Sequence, residues 1–298
     1  MGKSAILAAN RGSAAPPRFT GVLARWCSGA IDQWRGSPTL QQNVGTGLSL
    51  AVALSNLKAM CNRYVSPTAA DIERHWQLQP GQAWRGGAVF PFSPGPFIRK
   101  APEPSGAQRE LVIGQWGLIP WFAQSPRLRY ATNNARSEEL SAKASFKHPW
   151  QRGQRCIIPA LTFDEPNWET GRNVWWTFAR ADHTPWGLAG LWNTWIDKVS
   201  GEMVESYTMC TMNADNHPLM SRMHKPNPSL AADQQDKRSV VVIEAADVEQ
   251  WLTGSEADAR ALIRLAPGDL FDAHPLEEPP RPPRPPRRAA VKGRAFDF

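Results

Sequence analysis

Short apolar runs separated by Gly, Pro and Asn set the rhythm of the chain from about residue 60 onward. QREL, VIGQWGLIPWF, RCIIPALTF, the stretch 175–178, the stretch 187–195 and the stretch 207–212 read as strands broken by turn residues. AADIERHWQL predicts a short helix with Asp71 and Glu73 near its start, where carboxylates meet exposed backbone amides. SVVVIEAADVEQWLTG predicts a strand followed by a short helix over about residues 246–252. Many short strands, few helices and no βαβ alternation predict an α+β fold with mixed, barrel-like β structure and peripheral helices. One domain over residues 60–274 fits that pattern.

The two ends follow different rules. Residues 1–59 are rich in Gly, Ala, Ser and Gln without sustained periodicity, and are expected to be a disordered leader or an upstream extension; a regulatory propeptide is the alternative. LSLAVAL at Leu48–Leu54 is too short to span a bilayer and lacks a basic region directly before it, so neither a membrane span nor an export signal is expected. Residues 275–298 form a basic tail whose PPRPPRPPRR segment favours polyproline II; it serves either as weak phosphate attraction or as a solubilising extension. The net charge of +7 divides unevenly along the chain. Residues 1–59 and 279–298 each carry +5, whereas residues 60–278 carry −3, so a nucleic-acid partner must be argued from a local groove and not from pI.

Four cysteines without CxxC spacing point to a reducing compartment and away from a zinc knuckle. Six dispersed histidines without HExxH, and the lack of a phosphate loop or dinucleotide fingerprint, predict no metal and no cofactor.

Four polar sites interrupt the apolar pattern. Met60-Cys61 opens MCNRY, and Cys61 has two readings: an ordinary buried cysteine, or a new N-terminus once Met60 is lost. In the second case an α-amine of pKa about 8 and a β-thiol share one residue and can close a five-membered thiazolidine on an aldehyde. Arg63 nearby would favour the thiolate or bind phosphate. Glu165 ends an apolar strand, where it is either a turn acid or a desolvated proton carrier. His224 is either structural or a proton shuttle. Asn134 offers donor and acceptor together, and the Arg136 fork suits phosphate.

MCNRY, WGLIPWF, NNARSE, RCIIPALTFDEPNW, AGLWNTW and MHKP, in this order over residues 60–252, resemble the SRAP family of SOS response-associated abasic-site processing proteins. The resemblance implies a single SRAP domain that crosslinks covalently to abasic sites in single-stranded DNA. It implies catalytic roles for Cys61, Asn134, Glu165 and His224, phosphate contacts for Arg63 and Arg136, and a DNA-binding groove that Trp116 and Pro120 line or support. Asn62 stands where MCGR is common, LTFDEP where DGFYEW is frequent, and a long PNPSLAADQQDK stretch follows His224, which makes a carry-over to Arg238 insecure.

The expected reaction is capture of the abasic-site aldehyde by Cys61 as a thiazolidine, shielding the strand, with lyase-like release. Autoproteolysis exposing Cys61 and a noncatalytic single-stranded DNA scaffold are the alternatives. A monomer acting in the cytoplasm, near the nucleoid during DNA damage, is expected, with no membrane partner.

Overall fold

The computed structural model describes residues 61–103 and 106–276; the leader and most of the basic tail lie outside them. Two sheets form the body. The first is antiparallel, in the order β12-β8-β7-β1-β2, from β1 (Tyr64–Ser66), β2 (Gly87–Val89), β7 (Thr162–Asn167), β8 (Val174–Arg180) and β12 (Phe271–Pro275). The second contains β3 (Pro94–Lys100), β4 (Arg109–Trp116), β6 (Arg155–Ala160), β9 (Trp186–Ile196), β10 (Met203–Asn213) and β11 (Arg238–Val240). Pairing of β10 with both β4 and β9 closes this sheet into a barrel, and short β5 (Asn134–Arg136) adds to β10 in parallel. The α+β, barrel-like expectation therefore holds.

The helices α1 (Ala69–Trp76), α2 (Ala144–Gln151), α3 (Val248–Thr253) and α4 (Glu256–Ala261) are short. In α1 the Thr68 hydroxyl accepts from the Asp71 amide, satisfying one of the open first-turn donors, and Ile72 and Trp76 are buried. Helix α2 defeats the sequence pattern because Pro149 lies inside it, and proline normally argues against a helix. WGLIPWF is not one strand: β4 ends at Trp116, and Gly117, at φ +148°, turns the chain.

Apolar side chains from both sheets meet in one core that includes Cys61, Tyr64, Phe97, Trp116, Phe163, Phe178 and Tyr207. The Tyr64 and Tyr207 hydroxyls, 2.5 Å apart, join β1 to the barrel strand β10. Gly95 makes room for them, since a Cβ there would come within 2.1 Å of the Tyr207 oxygen. This join fixes the start of β1, and with it Cys61, against the barrel.

Candidate functional site

Cys61 lies just ahead of β1, at the seam between the sheets. The pairing Tyr64 with Phe163 carries β1 antiparallel along β7, and the Asp164 amide continues it by donating to the Arg63 carbonyl at 3.1 Å. Glu165 is thereby brought beside Cys61, whose backbone N–H donates to the Glu165 carboxylate. On the barrel side, β5 presents Asn134, and its Nδ2 donates to the Cys61 carbonyl at 2.9 Å. His224 completes the group, with Nε2 3.0 Å from Glu165 Oε2. Residues 134 and 165, far apart in sequence, therefore meet at Cys61, and His224 joins them through Glu165.

His224 reaches Glu165 from a left-handed backbone, φ +61°. Its N–H donates to the Pro166 carbonyl at 2.6 Å, and Met223 bridges to Asn167, so the segment lies along the end of β7. Such a conformation disfavours a residue with a Cβ and persists only where the surroundings hold it.

Two proton affinities are set by this enclosure. Glu165 is 2% exposed. Burial pushes its pKa well above the usual carboxylate range and the neighbouring Asp164 charge adds to this, against the opposing hydrogen bond from Cys61. The Cys61 thiol is also raised, first by burial and then by the Glu165 charge. The thiol is therefore held protonated, which corrects the expectation that Arg63 favours a thiolate. The Arg63 guanidinium pairs instead with Asp164, a carboxylate that is 1% exposed.

Asn134 acts on residue 61 through one atom. Its amide holds the Cys61 carbonyl and not the nitrogen, while its Oδ1 is buried without a hydrogen-bond partner among the described residues. Asn133, not among the expected site residues, shares the work: its Nδ2 lies 3.4 Å from the Cys61 carbonyl and 3.5 Å from Asn62 Oδ1. Its signal was the doubled asparagine of NNARSE.

The expected DNA contacts divide. Arg136 is partly exposed and pairs with Asp236 at 2.6 Å. Trp116 and Pro120 are buried and cannot line a groove. Trp116 supports the site from below, donating from Nε1 to the Asn133 carbonyl at 2.8 Å and packing edge-on to Tyr64. The two residues after Pro120, Trp121 and Phe122, are exposed. Arg238 is a structural cation: it is 3% exposed and binds Glu138, Asp236 and the Thr211 carbonyl.

Trp116→Phe tests this reassignment. Losing a buried hydrogen bond and part of the ring is expected to cost about 2 kcal/mol in chemical denaturation, while binding of undamaged single-stranded DNA by folded protein stays within about twofold. A selective loss of DNA binding without destabilisation would restore a contact role.

No group of His, Cys, Asp and Glu suited to a metal occurs among the described residues, and none of their helices is long and apolar enough to cross a membrane.

Comparison with known proteins agrees with this geometry. The family model described as SOS response associated peptidase (SRAP) matches residues 60–279. An abasic site processing protein, HMCES, from Xenopus tropicalis is 26% identical over 193 residues, covering 57% of this chain and 51% of that protein. Abasic site processing protein YoqW of Bacillus subtilis is 29% identical over 133 residues, 44% of this chain and 58% of that one. The chain thus spans little more than half the length of these curated relatives. A solved Bordetella bronchiseptica protein is 32% identical with a TM-score of 0.64, covering 73% of this chain and 100% of its own. A Bacteroides thetaiotaomicron structure, 22% identical with a TM-score of 0.60, shares the fold over 73% of this chain and 92% of its own. With a family match that runs over the whole described domain, and Cys61, Asn134, Glu165 and His224 gathered at one point, this chain belongs to the SRAP family.

Proposed function

We propose that this protein, with Cys61 as its N-terminal residue, captures the ring-opened aldehyde of an abasic site in single-stranded DNA as a thiazolidine and so shields the lesion. The observation that carries this reading is the Cys61 nitrogen against the buried Glu165 carboxylate. As an amide, that nitrogen is only a neutral donor to Glu165, whose other partner is His224, while Arg63 pairs with Asp164. An α-ammonium at the same atom places a positive charge against Glu165, which favours its ionised form and gives it a proton to take. The names of the relatives, abasic site processing proteins, agree with this reading.

The steps follow from proton affinity. The thiol is held protonated, so the amine attacks first, after Glu165 accepts a proton from the α-ammonium. The amine nitrogen bonds to the aldehyde carbon, giving a carbinolamine. Glu165 returns the proton to the departing hydroxyl, water leaves and a protonated imine remains. The sulfur then adds to the same carbon while its proton passes to the Glu165 carboxylate, closing the ring. One amine, one thiol and one aldehyde give one thiazolidine and one water. Asn134 fixes residue 61 through its carbonyl, so both nucleophiles are aimed before substrate arrives. His224, on Glu165, assists sugar-ring opening and the protonation that reversal requires. Arg136 and Arg63 meet phosphates, and the exposed Trp121 and Phe122 offer stacking surfaces for bases. Action as a monomer in the cytoplasm, near damaged nucleoid DNA, fits this reading.

The test is aldehyde dependence. Protein beginning at Cys61 is expected to form a denaturation-resistant adduct with an abasic single strand. None should form with the intact strand, or with an abasic strand whose aldehyde has been blocked by methoxyamine. Equal crosslinking to all three would refute the reading.

A further inference from the structure

Among the enclosed cations that the chemistry above does not use, Lys237 lies nearest to His224 in its hydrogen bonds. Lys237 is 6% exposed, and a buried ammonium is unfavourable unless its N–H groups find acceptors. Its Nζ donates to two successive carbonyls, Met223 at 2.6 Å and His224 at 2.7 Å. These belong to the segment that carries the left-handed His224.

The root of Lys237 is rigid. Asp215 accepts the N–H groups of Asp236 at 3.0 Å and Lys237 at 2.7 Å, and the Ala214 N–H donates to the Lys237 carbonyl at 2.7 Å. The next residue begins β11 on the closed barrel. Between His224 and this root runs the long, mostly exposed stretch 225–236. It folds back on itself: Gln235 accepts from the Asn227 N–H at 2.6 Å and donates to the Asn227, Leu230 and Ala231 carbonyls. Those bonds order the excursion without touching His224. The His224 segment is instead gripped from two sides, by β7 through Pro166 and Asn167 and by the Lys237 ammonium from the barrel.

We infer that Lys237 is a positioning residue for His224: its ammonium, fixed to the barrel, binds the Met223 and His224 carbonyls and so holds the imidazole against Glu165 across the long insertion. A lysine at this point substitutes for a short connection. Its four-carbon stem spans the gap and its three donors satisfy two carbonyls that a left-handed turn leaves pointing inward. The inference rests on the proposed covalent chemistry, in which His224 acts on Glu165.

The experiment is a double-mutant cycle on the gene product made from its own upstream DNA and shown by intact mass to begin at Cys61. Rates of adduct formation and of reversal on abasic single-stranded DNA are measured for wild type, Lys237→Met, His224→Ala and the double variant. Affinity for the undamaged strand is measured alongside. Lys237→Met is expected to slow the chemistry about tenfold or more with His224 present, and less than about twofold in the His224→Ala background, with undamaged-strand affinity unchanged. Equal slowing in both backgrounds would mark Lys237 as merely structural and overturn the inference; so would an unaffected Lys237→Met. Should Lys237→Met fail to fold, Lys237→Gln keeps one donor at similar reach and carries the same cycle, with a rate expected between the two. A wild type that begins at Cys61 but forms no adduct would remove the underlying reading. A reactive wild type with an unaffected lysine variant removes only the role of Lys237.

Discussion

Cys61→Ala is expected to abolish the adduct that survives denaturation, a loss of about a thousandfold or more in yield. The alanine variant retains an α-amine, so it still condenses with the aldehyde, but its imine has no sulfur to close the ring and hydrolyses. Borohydride should therefore rescue a covalent product from Cys61→Ala, with the imine carbon reduced. This pattern separates the two nucleophiles of one residue. An adduct that forms without reductant in the alanine variant would remove sulfur from the reaction. Failure of borohydride to trap any product would remove the amine. Binding of the undamaged strand is expected to change less than about twofold, because the Cys61 side chain is buried and carries no charge that a phosphate could meet.

Glu165→Gln is expected to slow adduct formation by about a hundredfold to a thousandfold, the range for loss of a positioned acid-base group. It should at the same time stabilise the fold above neutral pH. The carboxyl is raised by burial and by Asp164. In the wild type its contribution is fully favourable below the unfolded carboxylate pKa of about 4.3. It declines as pH rises through the raised native value, because the unfolded chain releases the proton first. Glutamine does not titrate. The melting difference, variant minus wild type, should thus be smallest near pH 4, grow with pH, and level off above the native pKa. A difference that is constant with pH would show that Glu165 is not perturbed. A large rate loss at every pH, with no stability gain, would assign it a structural role instead.

The four residues that meet at the site were legible because each stands in a short motif and the motifs follow one another in a fixed order. Their meeting was not legible. Asn134 lies on β5, a three-residue strand paired in parallel with β10, and three residues carry no periodic signal. The direction of Trp116 was hidden for a related reason. WGLIPWF reads as one apolar run, yet Gly117 turns it, burying Trp116 and exposing Trp121 and Phe122. Helix α2 escaped notice because Pro149 is a reliable breaker in sequence and a tolerated residue in this fold. The partners of the arginines were also out of reach, since pairing of Arg136 with Asp236 spans 100 positions. Lys237 lies beyond an insertion whose length says nothing about where a side chain returns. Its role follows from the two carbonyls that its ammonium binds.

Everything in the proposed chemistry depends on one atom, the nitrogen of Cys61, being an amine. The most direct test is the intact mass of the protein made from its own upstream DNA, before and after incubation with an abasic single strand. The account predicts a chain whose first residue is Cys61, converted to a species of protein plus oligonucleotide minus one water. A chain that retains residues before Cys61 and still forms that adduct would contradict it.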